Sequence, residues 1–359
     1  MGAYILRRLL LIIPTLIGIM VVNFTLTQFV PGGPIEQIAA QIQGQGDVFS
    51  NISGGGAEAG DSGIQSEYQG AQGLPPEFIA QLEREFGFDK PPLQRFLSMM
   101  GNYLTFDFGT SWFRSISVIE LVVEKMPVSI TLGLWSTLLA YLISIPLGIR
   151  KATRDGTRFD TWTSAVIIMA YAIPAFLFAV LLMVLFAGGS YWQIFPLRGL
   201  TSDNFADLTL WGKIKDYAWH ATLPVVASTI SSFATLTLLT KNSFLDEINK
   251  QYVMTARAKG LTERRVLYGH VFRNAMLIVI AGFPAMFLGV FFGASILIET
   301  IFSLDGLGRL GFEAAVQRDY PVIFGTLYVF GLMSLVVGIL SDLMYVFVDP
   351  RIDFESRAG

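Results

Sequence analysis

Six windows free of Asp, Glu, Lys and Arg interrupt this chain: Leu9–Ile35, Met126–Ile149, Thr161–Leu197, Tyr217–Thr240, Asn274–Ile298 and Tyr320–Ser341. About 20 apolar residues rising 1.5 Å each cross the ~30 Å hydrocarbon core of a bilayer, so each window is long enough for one helix. In lipid only helices and closed barrels satisfy their own backbone, and no window alternates as barrel strands do. The pattern predicts an all-α integral membrane protein with six transmembrane helices. The third window is over-long, and Ala187-Gly-Gly-Ser190 ends its helix. Pro14, Pro146, Pro174, Pro224 and Pro284 lie inside the windows and read as packing kinks, which membrane helices tolerate.

The polar stretches between windows set the organisation. Residues 1–30 form the first span, and a large insertion, 31–125, follows it. Its part from 44 to 73 holds nine glycines with Asp, Ser and Gln. Such a stretch buries too little apolar surface to offset its ordering entropy and is expected to be flexible. From 75 to 125 the pattern turns helical. Pro75-Pro76 opens a helix through Phe86, stopped by Gly87. A second follows Pro91-Pro92, with Leu93, Phe96, Leu97, Met100 and Leu104 as its apolar stripe. A third, about Ser117 to Lys125, leads into span two. Residues 126–348 form the remaining transmembrane core and 349–359 a tail.

Lys and Arg concentrate on the side of the membrane where translocation is disfavoured. Arg7, Arg8, Arg150, Lys151, Arg154, Arg158, seven residues between Lys241 and Arg273, Arg351 and Arg357 place 15 of the 25 basic residues on one side. Both termini are therefore expected in the cytoplasm, with the insertion outside. Val30-Pro-Gly-Gly-Pro34 offers no small-x-small cleavage site, so the first span is read as uncleaved. Trp192, Phe195, Trp211, Tyr217 and Trp219 on the second external loop read as a headgroup belt.

The composition, 53% hydrophobic and 15% charged, makes the lipid bilayer a partner and gives no sign of nucleic acid. With no cysteine and two distant histidines, His220 and His270, no metal site is expected. No nucleophile–base set, paired carboxylates or H-E-x-x-H appears, so no catalytic residue is assigned. The phosphate loop G-x-x-x-x-G-K-[ST] is absent too, so no cofactor is expected on this chain. Asp342 is the one carboxylate near the interior of a span, placed as a cap or a partner to a loop arginine. Ser228, Ser232, Thr235 and Thr237 in span four, with Phe287 and Phe291 in span five, are candidates for a translocation path. The same hydroxyls suit helix packing equally.

Between spans four and five lies a polar and basic loop, 241–273, far longer than a turn needs. Its helical spacing and single internal glycine before Leu261 suggest a surface that touches something in the cytoplasm. Gln251-Tyr-Val-Met-Thr-Ala-Arg-Ala-Lys-Gly260-Leu resembles the peptide-permease form of the E-A-A-x-x-x-G loop of bacterial ABC importers, where the general form matches only at Ala256 and Gly260. Arg7-Arg-Leu-Leu-Leu11, Phe88-Asp-Lys-Pro91, Phe106-Asp-Phe-Gly-Thr-Ser111, Pro127-Val-Ser-Ile-Thr131, Arg318-Asp-Tyr-Pro321 and Asp349-Pro-Arg351 extend the resemblance over nearly the whole chain. Leu134-Trp-Ser-Thr137, Phe195-Pro-Leu-Arg-Gly-Leu200 and Arg351-Ile-Asp-Phe354 are similar to the YejB-like subgroup.

The resemblance implies a type I (MetI-like) importer permease carrying oligopeptides, including peptide antibiotics such as microcin C, inward across the bacterial inner membrane. It further implies a second homologous permease, two ATPase domains that hold ATP and Mg²⁺, and a periplasmic peptide-binding protein. Tyr252, Thr255, Ala256, Arg257, Ala258, Lys259 and Gly260 would form the ATPase-coupling surface, with Gly260 allowing a left-handed or tight backbone after the helix. An ion-coupled secondary transporter of small peptides and an intramembrane enzyme are the alternatives.

Overall fold

The computed structural model describes residues 2–29, 80–81, 83–84, 88–188, 191–289 and 295–348. The described residues are helical with no β-strand, only an isolated bridge between Thr110 and Ser117. The helices are α1 (Gly2–Phe29), α2 (Pro92–Tyr103), α3 (Val118–Ala152), α4 (Arg158–Ala172), α5 (Ala175–Phe186), α6 (Leu210–Ile248) and α7 (Gln251–Ala258). There follow α8 (Glu263–Val266), α9 (Phe272–Ala281), α10 (Phe283–Leu288), α11 (Ser295–Ile301), α12 (Leu307–Gln317) and α13 (Tyr320–Val348). A π turn, Leu267–Val271, joins α8 to α9. The expected flexible stretch 44–73, most of the Glu77–Phe86 helix and the tail 349–359 lie outside the described residues.

Among the described residues, four segments are long and apolar enough to cross a membrane: Tyr4–Phe29, Val118–Ala152, Glu263–Leu288 and Tyr320–Met344. Two more exist as bent pairs, so the six windows correspond to six spans only if each pair is one span. The third window departs from a continuous helix. α4 and α5 meet at 94°, because Pro174 forces Ile173 into extended backbone (φ −84°, ψ 119°). Pro174 is thus a break, whereas Pro14, Pro146 and Pro224 stay inside helices and Pro284 opens α10. In α6 the halves Leu210–Ile230 and Ser232–Ile248 meet at 51°. Just upstream, Ser228 and Thr229 donate to the carbonyls of Pro224 (2.8 Å) and Val225 (2.6 Å), a back-bonding that bends helices.

The chain forms two compact units. One comprises Met1–Leu9, Lys125–Arg309 and Met333–Gly359; the other Leu10–Glu124 and Leu310–Leu332. The first has two apolar cores. Leu132, Ala179, Leu182, Leu223, Ala227, Ile298 and Phe302 make one, joining α3, α5, α6 and α11. Ala140, Ile149, Leu236, Phe244, Val253, Val266, Ala275 and Val279 make the other. Gly148 lets α3 and α6 approach, since a Cβ there would lie 2.6 Å from Thr240 Cβ. Asp342 meets Arg8 Nη2 at 2.9 Å and accepts from Tyr4 Oη at 2.9 Å; its partner is an N-terminal arginine rather than a loop one.

The second unit is held by aromatic packing. Tyr103 lies edge-on to Phe108 (4.9 Å) and Tyr328 (5.5 Å), and Phe24 contacts Phe96 (5.3 Å). This turns α2 relative to expectation. Its inward face is Phe96, Met99, Met100 and Tyr103, while Leu93, Leu97 and Leu104 are exposed. The aromatic partners of Tyr103 decide the rotation, and the leucine stripe faces outward. A polar anchor closes the unit: buried Asp319 accepts from Ser111 Oγ (2.5 Å) and the Trp112 N–H (3.2 Å). Burial pushes the Asp319 carboxyl up, and these hydrogen bonds oppose the shift.

Candidate functional site

The segment after α6 is built as a small helix pinned on one face. Lys250 is extended (φ −75°, ψ 151°), which ends α6 and lets α7 start at Gln251. Val253 and Ala256, three apart and so on one face, are buried in the core with Phe244, Val266 and Ala275. Thr255, Arg257, Ala258, Lys259 and Gly260 are exposed, and Tyr252 is half-buried. Met254 joins the outer face at 63% exposure.

Two devices hold this helix. At its start the Tyr252 hydroxyl donates to Glu247 Oε2 (2.7 Å) and accepts from Asn274 Nδ2 (3.2 Å), tying α7 to α6 and α9. Lys250 pairs with the same Glu247. Burial, then the carboxylate contact, pushes the Tyr252 phenol up to about 12. At its end Gly260 has φ +80°. The Gly260 N–H bonds the Arg257 carbonyl (2.9 Å) and the Leu261 N–H the Ala256 carbonyl (3.4 Å), the paired bonds of a Schellman motif. Arg257 then clasps Glu263 of α8 through Nε (2.9 Å) and Nη2 (3.0 Å).

Of the residues proposed from the motif, Thr255, Arg257, Ala258, Lys259 and Gly260 therefore share the outer surface. Ala256 is instead buried in the core beneath α7. Sequence reasoning passed over Met254. The signal for it was an apolar side chain on the polar side of a helix whose buried positions are Val253 and Ala256.

The path candidates divide. Ser232 and Thr235 line an open recess of about 470 Å³ with Tyr171, Leu236, Gly282 and Met286. Ser228 and Thr237 are buried and donate to their own helix, to Pro224 O and Phe233 O, both at 2.8 Å. Phe287 stacks on Phe283 (6.0 Å), and Phe291 lies outside the described residues. His220 is held by Asp216, through its carbonyl (2.9 Å) and its carboxylate (3.5 Å). Among the described residues no group of three acidic or histidine side chains could hold a metal.

Apolar helices of membrane-spanning length, with the polar helix α7 tied to α6 and α9, mark the chain as an integral membrane protein. The chain belongs to the family of binding-protein-dependent transport system inner membrane components, whose pattern matches residues 144–354. It is 65% identical over 362 residues to the peptidoglycan transport system permease protein YejB of Agrobacterium fabrum, covering 99% of this chain and all of that one. It is 59% identical to the inner membrane ABC transporter permease protein YejB of Escherichia coli O157:H7, over 99% of this chain and all of the relative. The oligopeptide transport system permease protein AppB of Bacillus subtilis is 33% identical over the same shares. The molecule is thus a YejB-like, multi-pass permease of a peptide-type ABC importer. Permeases of this kind work with a partner permease, ATPases and a binding protein.

Proposed function

We propose that this permease carries oligopeptides inward, driven by ATP hydrolysis on separate subunits that dock on α7. In this reading both termini and the 241–273 loop are cytoplasmic and the 31–125 insertion is periplasmic. A second homologous permease completes the pathway, two ATPase domains bind ATP and Mg²⁺, and a periplasmic receptor delivers the peptide. The observation that carries the reading is the division of α7. Val253 and Ala256 are buried at 0% and 7% exposure, while Met254 between them stands out at 63%. A short helix anchored so firmly, presenting a lone exposed methionine beside Thr255, Ala258 and Lys259, fits a partner groove.

The proposed cargo class is supported by the relatives' names, which speak of an oligopeptide transport system and a peptidoglycan transport system. Peptide antibiotics such as microcin C, being short peptides, fall within the same class. Among the described residues, Tyr171 is the one titratable side chain lining the Ser232–Thr235 recess, which supports ATP rather than an ion gradient as the driving force. The chain has no cysteine, so Met254→Cys carries a unique cross-linker. In solubilised membranes it is expected to capture an ATPase subunit identified by mass spectrometry. A correctly inserted Met254→Cys chain that copurifies with an ATPase but cross-links only lipid or itself would refute α7 as the docking surface.

A further inference from the structure

Beside the second core of the first unit sits a charged cluster that the docking reading does not use. Lys151, in the last turn of α3, is fully buried. Its ammonium meets Asp160 Oδ1 (2.9 Å), the Asp160 carbonyl (2.9 Å), Thr163 Oγ1 (2.8 Å) and Ser164 Oγ (2.7 Å), all on α4. Asp160 is shared. Its Oδ2 accepts from Lys241 of α6 (2.7 Å) and from the Gly156 N–H (3.3 Å), where φ is +71°. Lys241 also reaches Asp155 (2.8 Å), which is half exposed in the turn between α3 and α4. Two cations and two anions balance, and one buried carboxylate joins three helices.

We infer that Asp160 is a positioning residue for transport: it clamps α4 to α6, so that displacement of α7 is carried to Tyr171 at the recess. The inference rests on α7 being the docking helix. Lys241 lies seven residues before the end of α6, about 10 Å along the helix axis. α7 begins three residues past that end and is tied back to Glu247 through Tyr252. A push on α7 therefore reaches Lys241 through the Tyr252–Glu247 tie and the last turns of α6. From Lys241 it passes to Asp160, in the first turn of α4, and along α4 to Tyr171, next to its last residue. Apolar packing alone would permit α4 and α6 to slide past each other. A carboxylate gripped by two ammonium groups favours one arrangement, and fixing a register is the best-attested use of a buried ion pair.

The test uses the whole complex, with partner permease, ATPases and receptor, in proteoliposomes. Asp160→Asn removes the carboxylate's pairs with Lys151 and Lys241, and Lys241→Met removes the ammonium's pairs with Asp160 and Asp155, each with little change in volume. The expected result is a fall of about tenfold in peptide imported per ATP hydrolysed, within the ordinary range for a coupling between sites. The double variant should be no worse than either single one, since the groups act as one unit. Lys241→Arg should restore most of the ratio. Tyr171→Cys with Thr235→Cys should show a disulfide yield that changes on vanadate trapping in the parent and not in Asp160→Asn. Met254→Cys cross-linking to the ATPase should stay at the parental level in Asp160→Asn, which keeps failure of docking distinct from failure of the clamp. If Asp160→Asn does not assemble, Lys241→Met decides alone. A parental import-to-ATP ratio together with a vanadate-dependent Tyr171–Thr235 disulfide in the assembled variant overturns the inference.

Discussion

A Cβ at Gly148 would lie 2.6 Å from Thr240 Cβ and 2.9 Å from the Thr237 carbonyl oxygen, and one at Gly306 would overlap the Glu299 carboxylate. Neither neighbour can yield. Thr240 is fully buried with its hydroxyl bonded to Leu236 O (2.7 Å). Glu299 is fully buried and accepts from the Arg309 N–H (2.6 Å). Gly148→Ala and Gly306→Ala are each expected to cost about 1–3 kcal/mol, the usual range for overpacking. Gly18 has open space around it, so Gly18→Ala should be neutral or slightly stabilising in its helix. Apparent melting temperatures in detergent check the contrast, and equal shifts at Gly18 and Gly148 would contradict it. Residues of this kind show what a sequence conceals. Asp160 and Glu299 appear there only as the edges of uncharged windows, yet each is a buried hub. Their partners Lys241 and Ser129 are 81 and 170 residues away, and periodicity carries no information over such separations.

At the scale of elements, the windows were legible because a bilayer imposes a length that composition reveals. Charge-free runs covered most of α1, α3, α6, α9 and α13 without knowledge of their packing. The bend between α4 and α5 was less so. Proline inside a membrane helix is compatible with a kink, a break or neither, and the outcome at Pro174 depends on how the flanking helices pack. α7 was readable as a helix ending at a left-handed glycine, and Gly260 has that conformation. Which of its faces turns inward was not, because Val253 and Ala256 are buried by Phe244, Val266 and Ala275, which come from other elements. Val253→Asp would bury an unpaired carboxylate in that core, a change of several kcal/mol. α7 should detach, and limited trypsin treatment of inside-out vesicles should then cut at Arg257 and Lys259, where the parent resists. A Val253→Asp chain as resistant as the parent would show that α7 is not held by this core.

Across the whole molecule, three features point the same way. The family assignment makes the chain one subunit of a peptide importer. The recess beside Ser232 and Thr235 is lined by small, hydroxylated and apolar groups, which suits weak binding and release rather than storage. Under the proposed function, the polar helix α7, held by buried Val253 and Ala256, is the place where a second subunit pushes. Affinity and energy are then expected from other chains, the receptor and the ATPase, with this one supplying the path between them. The direct test is uptake of a labelled oligopeptide into proteoliposomes holding the assembled complex, with receptor and ATP each omitted in turn. Uptake is predicted to require both and to be lost when Met254, Thr255 and Lys259 are together replaced by glutamate. Robust uptake in the absence of both, driven by a proton gradient alone, would contradict the account and establish an ion-coupled carrier.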